Sequence, residues 1–547
     1  MPRLPAPRPP EVESLPVAFS RRRARPVLIA LLGLLLVGGL GLGPGCGREV
    51  TFGPAGDPVG TETPVRLRLT LETDAAHAPA ARAYAAQFAS LGLRVEIEIR
   101  SWDDLVRRAA AGEGDAYLIG WSGPSPDPLG LVAAKLGPGG DGNLSGYSNS
   151  ELARLLTGLL SRPTVPEREK CARAAQEFLL EEAPWVYGVG VPLLDASTPA
   201  LSGWRPGPAG AVSLHDATLA SPGGRAVVGL GLGEWPDLDP LRPIDPQAAT
   251  VFRCLFDALC TLGPDGALLP ELAASWEFAA DGRRLVVRLR EGVFFHDGEP
   301  LRPADVVYTY EKVLPGRLPE GVEVRINAVE KDSVVFSFSA PFPSFLELHG
   351  LQPIVPAKVV AIGTEAFAAA PVGTGPFRLD PQKSGRQVVL VRWDRYYGGC
   401  PALEPCGPAK LDEVAFVPLP DLARRLAMLG SGQIMLAPAL GPDAVEALQA
   451  FPDVRLVREP GWTVLAVELN NRRPPFDDTR VRLALNFGLD REALAFALGP
   501  DAGILSTAFL PEGFGFWAEA GSFGYEPERA RSLLGDAGYL TTTPGGP

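Results

Sequence analysis

The sequence predicts an α/β fold divided into at least two lobes, on three observations. A chain of 547 residues with 46% hydrophobic content exceeds what one ordinary core supports. Segments of strict apolar alternation recur along it, and segments with apolar residues at helical spacing separate them.

Val65–Leu71 alternates as a strand, Ala80–Ser90 carries a helical pattern, and Arg94–Arg100 alternates again, which makes a βαβ unit. Glu167–Leu180 has apolar residues at helical spacing. Leu285–Leu289 reads as a strand leading into a turn at His296-Asp297-Gly298, with a helix over Asp305–Val313. Gly229-Leu230-Gly231-Leu232-Gly233 lacks the remaining spacing of a dinucleotide fingerprint and reads as a strand passing close to something. The 62 Gly and 57 Pro are spread among these segments, which describes a folded, loop-rich body.

Residues 1–45 read as a signal or anchor: Arg21, Arg22, Arg23 and Arg25 precede the apolar run Val27–Leu42. The run is short for a membrane span, and Gly33, Gly38, Gly39 and Gly41 weaken it as a helix. Leu42-Gly43-Pro44-Gly45-Cys46 resembles a bacterial lipoprotein signal, with Leu one place early and Pro beside the cleavage site. Lipidation at Cys46, an uncleaved anchor and plain secretion all stand open, and each places the body outside the cytoplasm, in the periplasm or cell envelope. Residues 46–63 form a Gly/Pro-rich linker.

A net charge of −13 excludes a nucleic-acid partner, which needs clustered Lys and Arg. Six Cys in so long a chain do not make a disulfide scaffold. Cys254 and Cys260 sit in an apolar helical pattern as core residues, and Cys400 and Cys406 flank a Pro-containing loop that permits a local bridge. His77, His215, His296 and His349 are scattered with no metal-ligand spacing. No nucleophile elbow and no phosphate loop occur, and the acidic pairs Asp103-Asp104 and Glu181-Glu182 lie on polar faces of helical patterns. No catalytic residue, metal or cofactor is expected, and the chain does not read as an enzyme.

One stretch is more specific. Leu269-Pro270-Glu271-Leu272-Ala273-Ala274-Ser275-Trp276, Asp281-Gly282, Leu289-Arg290-Glu291-Gly292-Val293-Phe294-Phe295-His296-Asp297-Gly298 and Ala304-Asp305-Val306-Val307-Tyr308 resemble the signature of the peptide/nickel class of extracellular solute-binding proteins, family 5. Val372–Phe377, Pro474–Asp478, Val481–Asn486 and Asp490-Arg491-Glu492 follow that family's pattern in order. Leu91–Val95, Gly120-Trp121, Tyr147–Leu152 and Glu182-Ala183-Pro184 resemble the family's C-terminal segment, although here they come first.

The resemblance implies a type II periplasmic binding protein-like fold, two lobes with a hinge, in a circularly permuted chain order. Lobe II would comprise 64–195 and 441–547, and lobe I 196–440, with 221–225 joining what are ordinarily the two termini. Such a rotation costs little where the old termini lie together at the surface. Its spatial consequence is that Val65–Leu71 packs near the helix around Arg529–Ala537.

The resemblance further implies capture of a small solute, foremost an oligopeptide, for the membrane subunits of an ABC importer. The matching cleft positions are Gly120, Trp121, Ser122 and Asp127 from lobe II and Gly233, Glu234 and Trp235 from lobe I, with Trp462 as a further aromatic wall. A core role is open for each Trp, and Trp276 and Trp393 read as structural. Pro124 stands where many peptide-binding relatives carry an Asp for the ligand's amino terminus, so a sugar, metal chelate or other solute is open as well. Met435, where the family commonly has Asp, falls at a lobe crossover. Two other classes stay in view: an envelope sensing or structural protein uncoupled from transport, and an extracytoplasmic enzyme.

Overall fold

Alternating segments become strands here because every second side chain finds a core. The computed structural model describes residues 65–540 apart from 75–76, 123–131, 133–134, 138–141, 163, 208–210, 222–223, 236, 243–245, 264–266, 320, 361–362, 404–406, 442, 499–503 and 506–521. The described residues lie within the compact unit Pro64–Pro547. Cys46 and the rest of the N-terminal signal lie outside the described residues, as do Pro124, Asp127 and Cys406.

The first alternating segment divides at Leu67 into β1 (Val65–Arg66) and β2 (Arg68–Thr73). Helix Ala78–Ser90, β3 (Arg94–Ile99), helix Trp102–Ala110 and β4 (Ala116–Ser122) follow. β2 pairs in parallel with both β3 and β4, so the βαβ unit is present and is extended by a second crossover. The period of two is visible in β4: Leu118 joins the core of Leu69, Leu71, Tyr84 and Phe88, whereas Tyr117 and Ile119 pack with Leu105 and Ala109.

Helices Ser150–Ser161 and Val165–Glu182 lead into β5 (Trp185–Ser197). β6 (Leu201–Ser202) and β7 (Thr218–Leu219) form a small pair, and β8 (Arg225–Leu230) enters the main sheet. After helix Ala249–Leu255, β9 (Cys260–Leu262) and β10 (Leu268–Pro270) make a hairpin. Cys254 therefore lies on a helix and Cys260 on a strand, which corrects the single helical pattern expected for both; the cross-strand partner Pro270 decides it. Both are buried. Cys400 is buried with a free thiol.

β11 (Ala273–Phe278), β12 (Arg284–Leu289), β13 (Val324–Ala328) and β14 (Ser333–Phe338) form an antiparallel sheet in the order β11-β12-β14-β13. Leu285, Val287 and Phe336 pack there with Tyr310 of helix Pro303–Val313. β15 (Phe377–Leu379), β16 (Val388–Arg392), β17 (Glu413–Pro418), helix Leu422–Gly430, β18 (Leu436–Leu440) and β19 (Arg455–Leu469) come next. Helices Thr479–Phe487 and Arg491–Leu498, β20 (Ile504–Leu505), helix Pro527–Asp536 and β21 (Tyr539–Leu540) complete the described elements.

The main sheet runs β15-β16-β17-β8-β18-β5-β19-β4-β2-β3, with β20 on β5. β5 and β19 are its long members, paired antiparallel from Trp185↔Glu468 to Ser197↔Arg455 and irregular between Glu459 and Thr463. One core flanks the start of β5. It joins Leu67, Leu69, Leu71, Tyr84 and Trp185 to Leu465, Val467, Leu485, Ala530 and Leu534, hence segments from both ends of the described chain. β1 pairs in parallel with β21, Val65 opposite Tyr539. Separate cores, drawn from the residues between, gather Val228, Leu390, Phe416 and Leu436 around β8 and β17, and Leu194, Leu426 and Ile434 at the end of β5.

Candidate functional site

The strand directions fix where a site can form. β4 runs antiparallel to β19 and ends with Ser122 opposite Thr463, which itself faces Val191 of β5. From the other side β18 runs antiparallel to β5 and ends with Leu440 opposite Leu194, while β8 lies parallel to β18. The carboxyl ends of β4 and of β8 and β18 thus converge on residues 191–194 of β5, at the irregular stretch of β19. Open α/β sheets present ligand sites outside the carboxyl ends of their parallel strands.

The expected cleft residues fall at this convergence from two directions. Gly120, Trp121 and Ser122 are the last residues of β4, opposite Leu465, Val464 and Thr463, and Trp462 is the next residue of β19 beyond that register. Gly231–Trp235 follow directly on the end of β8. Glu234 and Gly233 are exposed, and the Trp235 indole nitrogen donates to the Arg386 carbonyl at 3.3 Å. Gly233, Glu234 and Trp235 line a pocket of about 450 Å³ with Arg386, Val417, Pro418, Leu419, Arg424 and Met428. The two groups do not share a strand pair; β18, β5 and β19 separate β8 from β4 in the sheet.

The glycine run proves to be a close approach with identifiable neighbours. A Cβ on Gly229 would lie 2.5 Å from Ile434 Cδ1, and one on Gly231 would lie 2.5 Å from Arg425 Nη1. Gly233 has nothing within 4 Å, so its role is not to relieve crowding. The residues that sequence reasoning missed are those around it, Arg386, Arg424 and Arg425. Asp195 was missed as well: it is buried on β5 and accepts from the Ala439 amide at 2.9 Å, where φ is +51° at the end of β18.

The signature residues hold the scaffold and do not line this pocket. His296 accepts from Gly373 N at Nδ1 (3.2 Å) and donates from Nε2 to Gly375 O (3.0 Å). Its burial pushes the imidazole down to about 4. The Asp305 carboxylate accepts from the amides of Arg302 and Ala357, both at 2.9 Å, and Glu271 accepts from Ala258 N at 2.9 Å.

The downstream motifs tie β5 to the helices of the opposite chain end. Asn486 donates to Trp185 O and accepts from Tyr187 N, Arg482 donates to Glu182 O, and Arg491 donates to Tyr187 O. Glu182 is therefore engaged, by Arg482 and by the Tyr147 hydroxyl, and is not a solvated charge as its helix face implied. Met435 donates to Val227 O and accepts from Thr198 N, which places it at the junction of β8 and β5. Among the described residues no group of His, Cys, Asp or Glu is arranged to hold a metal ion. No described helix is long and apolar enough to cross a membrane.

Comparison with known proteins bears on this arrangement. Residues 267–546 match the family model for bacterial extracellular solute-binding proteins, family 5 Middle. The glutathione-binding protein GsiB of Pectobacterium atrosepticum is 28% identical over 333 residues, covering 58% of this chain and 62% of that protein. The dipeptide-binding protein of Escherichia coli is 26% identical over 303 residues, covering 50% and 55%. The chain thus spans less than two thirds of the length of these relatives. Among solved structures, the ABC transporter substrate binding protein CtaP from Listeria monocytogenes aligns over 58% of this chain and 66% of its own, with TM-score 0.49 and 22% identity. With the family model matched over half of its length, the chain belongs to the bacterial extracellular solute-binding proteins of family 5, a family of binders and not of enzymes.

Proposed function

We propose that this chain is an extracytoplasmic solute-binding protein that captures a peptide-like or other small solute between two lobes and delivers it to the membrane subunits of an ABC importer. The observation that carries this reading is the convergence of the β4 and β8 carboxyl ends on the middle of β5. Two long strands passing between separate cores make a hinge, and a ligand that contacts both sides selects the closed form. The relatives named for glutathione and for dipeptides favour a small peptide-like cargo. Gly120, Trp121, Ser122, Asp127 and Trp462 serve the cleft from lobe II, and Gly233, Glu234 and Trp235 from lobe I.

In this reading the chain order is rotated. Lobe II is assembled from 64–195 and 441–547, and lobe I from 196–440. Support comes from the pairing of Val65 with Tyr539 and from the single core shared by Leu69 and Leu534. The N-terminal segment, lipidated at Cys46 or retained as a helix, then tethers lobe II to the membrane.

A thermal-shift screen of short peptides, oligosaccharides and nickel chelates tests the capture reading, since a ligand of the native state raises the midpoint by mass action. A shift that saturates with one class supports it. Silence across all three classes overturns it in favour of a protein uncoupled from transport.

A further inference from the structure

We infer that the lobe I wall of the cleft carries a carboxylate-binding subsite beside Trp235, with Arg386 and Arg424 as its cationic partners; this deepens the capture reading and rests on it. The chain carries a net charge of −13, so two unengaged guanidiniums in one pocket stand out against their surroundings. Arg386 and Arg424 are both exposed, and neither side chain makes an ion pair among the described residues. The nearby cation Lys383 is differently placed, since it is bound by Glu413 and Asp380. The Asp421 carboxylate, the acid nearest to Arg424 in sequence, is turned to the Arg424 backbone amide at 2.7 Å, where it caps helix Leu422–Gly430.

One further feature aims the pair at a ligand. The indole of Trp235 is tied to the Arg386 carbonyl, which fixes an aromatic face next to the residue that bears one guanidinium. Guanidiniums bind carboxylates through paired, planar hydrogen bonds, and an adjacent aromatic face holds the carbon skeleton. Glu234 lines the same pocket and is the one acidic side chain there. It suits a solute that also carries an amino group, such as a short peptide, over a simple acid.

The test compares matched acid and neutral probes: trialanine with its C-terminal amide, and glucuronate with glucose. Each is titrated by thermal shift and calorimetry into the wild-type chain, the Arg386→Gln/Arg424→Gln variant and the charge-conserving Arg386→Lys/Arg424→Lys variant. At least tenfold weaker binding of the neutral member is expected, a preference lost in the Gln variant and retained in part by the Lys variant. Preference confined to trialanine assigns the subsite to a peptide carboxylate, and preference in both pairs to carboxylates in general. Equal binding of acid and neutral members, or a preference that survives in the Gln variant, overturns the subsite while leaving solute capture intact. No binding of any probe to the wild-type chain overturns the subsite and counts against capture as well.

Discussion

Tyr84 donates its hydroxyl to the Leu465 carbonyl at 2.8 Å, across 381 residues of chain. The ring is fully buried, and burial holds the phenol well above its ordinary range. Gly188 permits the contact, since a Cβ there would lie 1.4 Å from the Tyr84 oxygen. Tyr84→Phe should cost about 1 kcal/mol in urea unfolding, the net worth of one hydrogen bond. Gly188→Ala should cost clearly more because the clash cannot be relieved without moving the ring or β19. A Gly188→Ala chain as stable as wild type would contradict this packing.

Glu72 offers a charge-based check. It is 1% exposed and is held by Arg100 at 2.6 Å and Arg108 at 3.0 Å. Glu72→Gln removes the buried partner of both guanidiniums and leaves them only their more exposed ones, Glu98 and Asp104 for Arg100 and Glu113 for Arg108, so a loss of about 2 kcal/mol in chemical denaturation is expected. A loss below about 0.5 kcal/mol would mean that solvent already screens the cluster.

His296 predicts an acid limb of stability. Its folded value, near 4, lies below the ordinary 6.5, so the fold prefers the neutral ring. The contribution is complete above about pH 6.5, falls as pH drops toward 4 and is gone below it, amounting to roughly 3 kcal/mol at most. Melting curves from pH 4 to 7 should show His296→Gln less stable at neutral pH and a smaller difference from wild type at pH 4. A difference independent of pH would remove the ring from this role.

Glu468 works in the opposite sense. Complete burial pushes its carboxyl up to about 7, against the pull of Lys135 at 3.3 Å. Its contribution is therefore complete below about pH 4.5 and lost as pH rises through 7. The double variant Lys135→Met/Glu468→Leu should match or exceed wild-type stability at pH 8, because a buried ion pair rarely outperforms apolar packing. A double variant much less stable than wild type would show that the pair contributes net stability.

Rotated chain order is testable by reversing it. Val65 and Tyr539 are strand partners, so a linker of about six residues spans from Leu540 back to Val65. A chain opened between Leu219 and Arg225 and closed in this way should melt within a few degrees of wild type. Failure of the recut chain to fold would set the rotation aside.

Much of the scaffold was legible because its signals are local. The alternation of Arg68–Thr73 and the His296-Asp297-Gly298 turn are fixed by neighbours in sequence, and the structure adds only their partners. Cys260 was misplaced because a three-residue strand only four residues after a short helix leaves no period to read. The cleft positions were legible in part: Gly120–Ser122 and Gly233–Trp235 were marked by resemblance, and their convergence depends on strand directions that no single segment encodes. Arg386 and Arg424 carried no signal at all. They come from a loop and a helix far apart in the chain, and an exposed Arg in sequence looks the same whether or not a carboxylate neutralises it.

The core that joins Leu69 to Leu534 sets a timetable for synthesis. Its first half emerges from the ribosome with Leu67, Leu69, Leu71 and Phe88 uncovered, and its second half begins only at Leu465. At roughly 5–20 residues per second the wait lasts tens of seconds. The central segment, whose cores are drawn from contiguous residues, can meanwhile collapse on its own. Newly made chains should therefore pass through a state with a finished middle and a sticky, half-built flank. That interval is when a holding chaperone has most to bind.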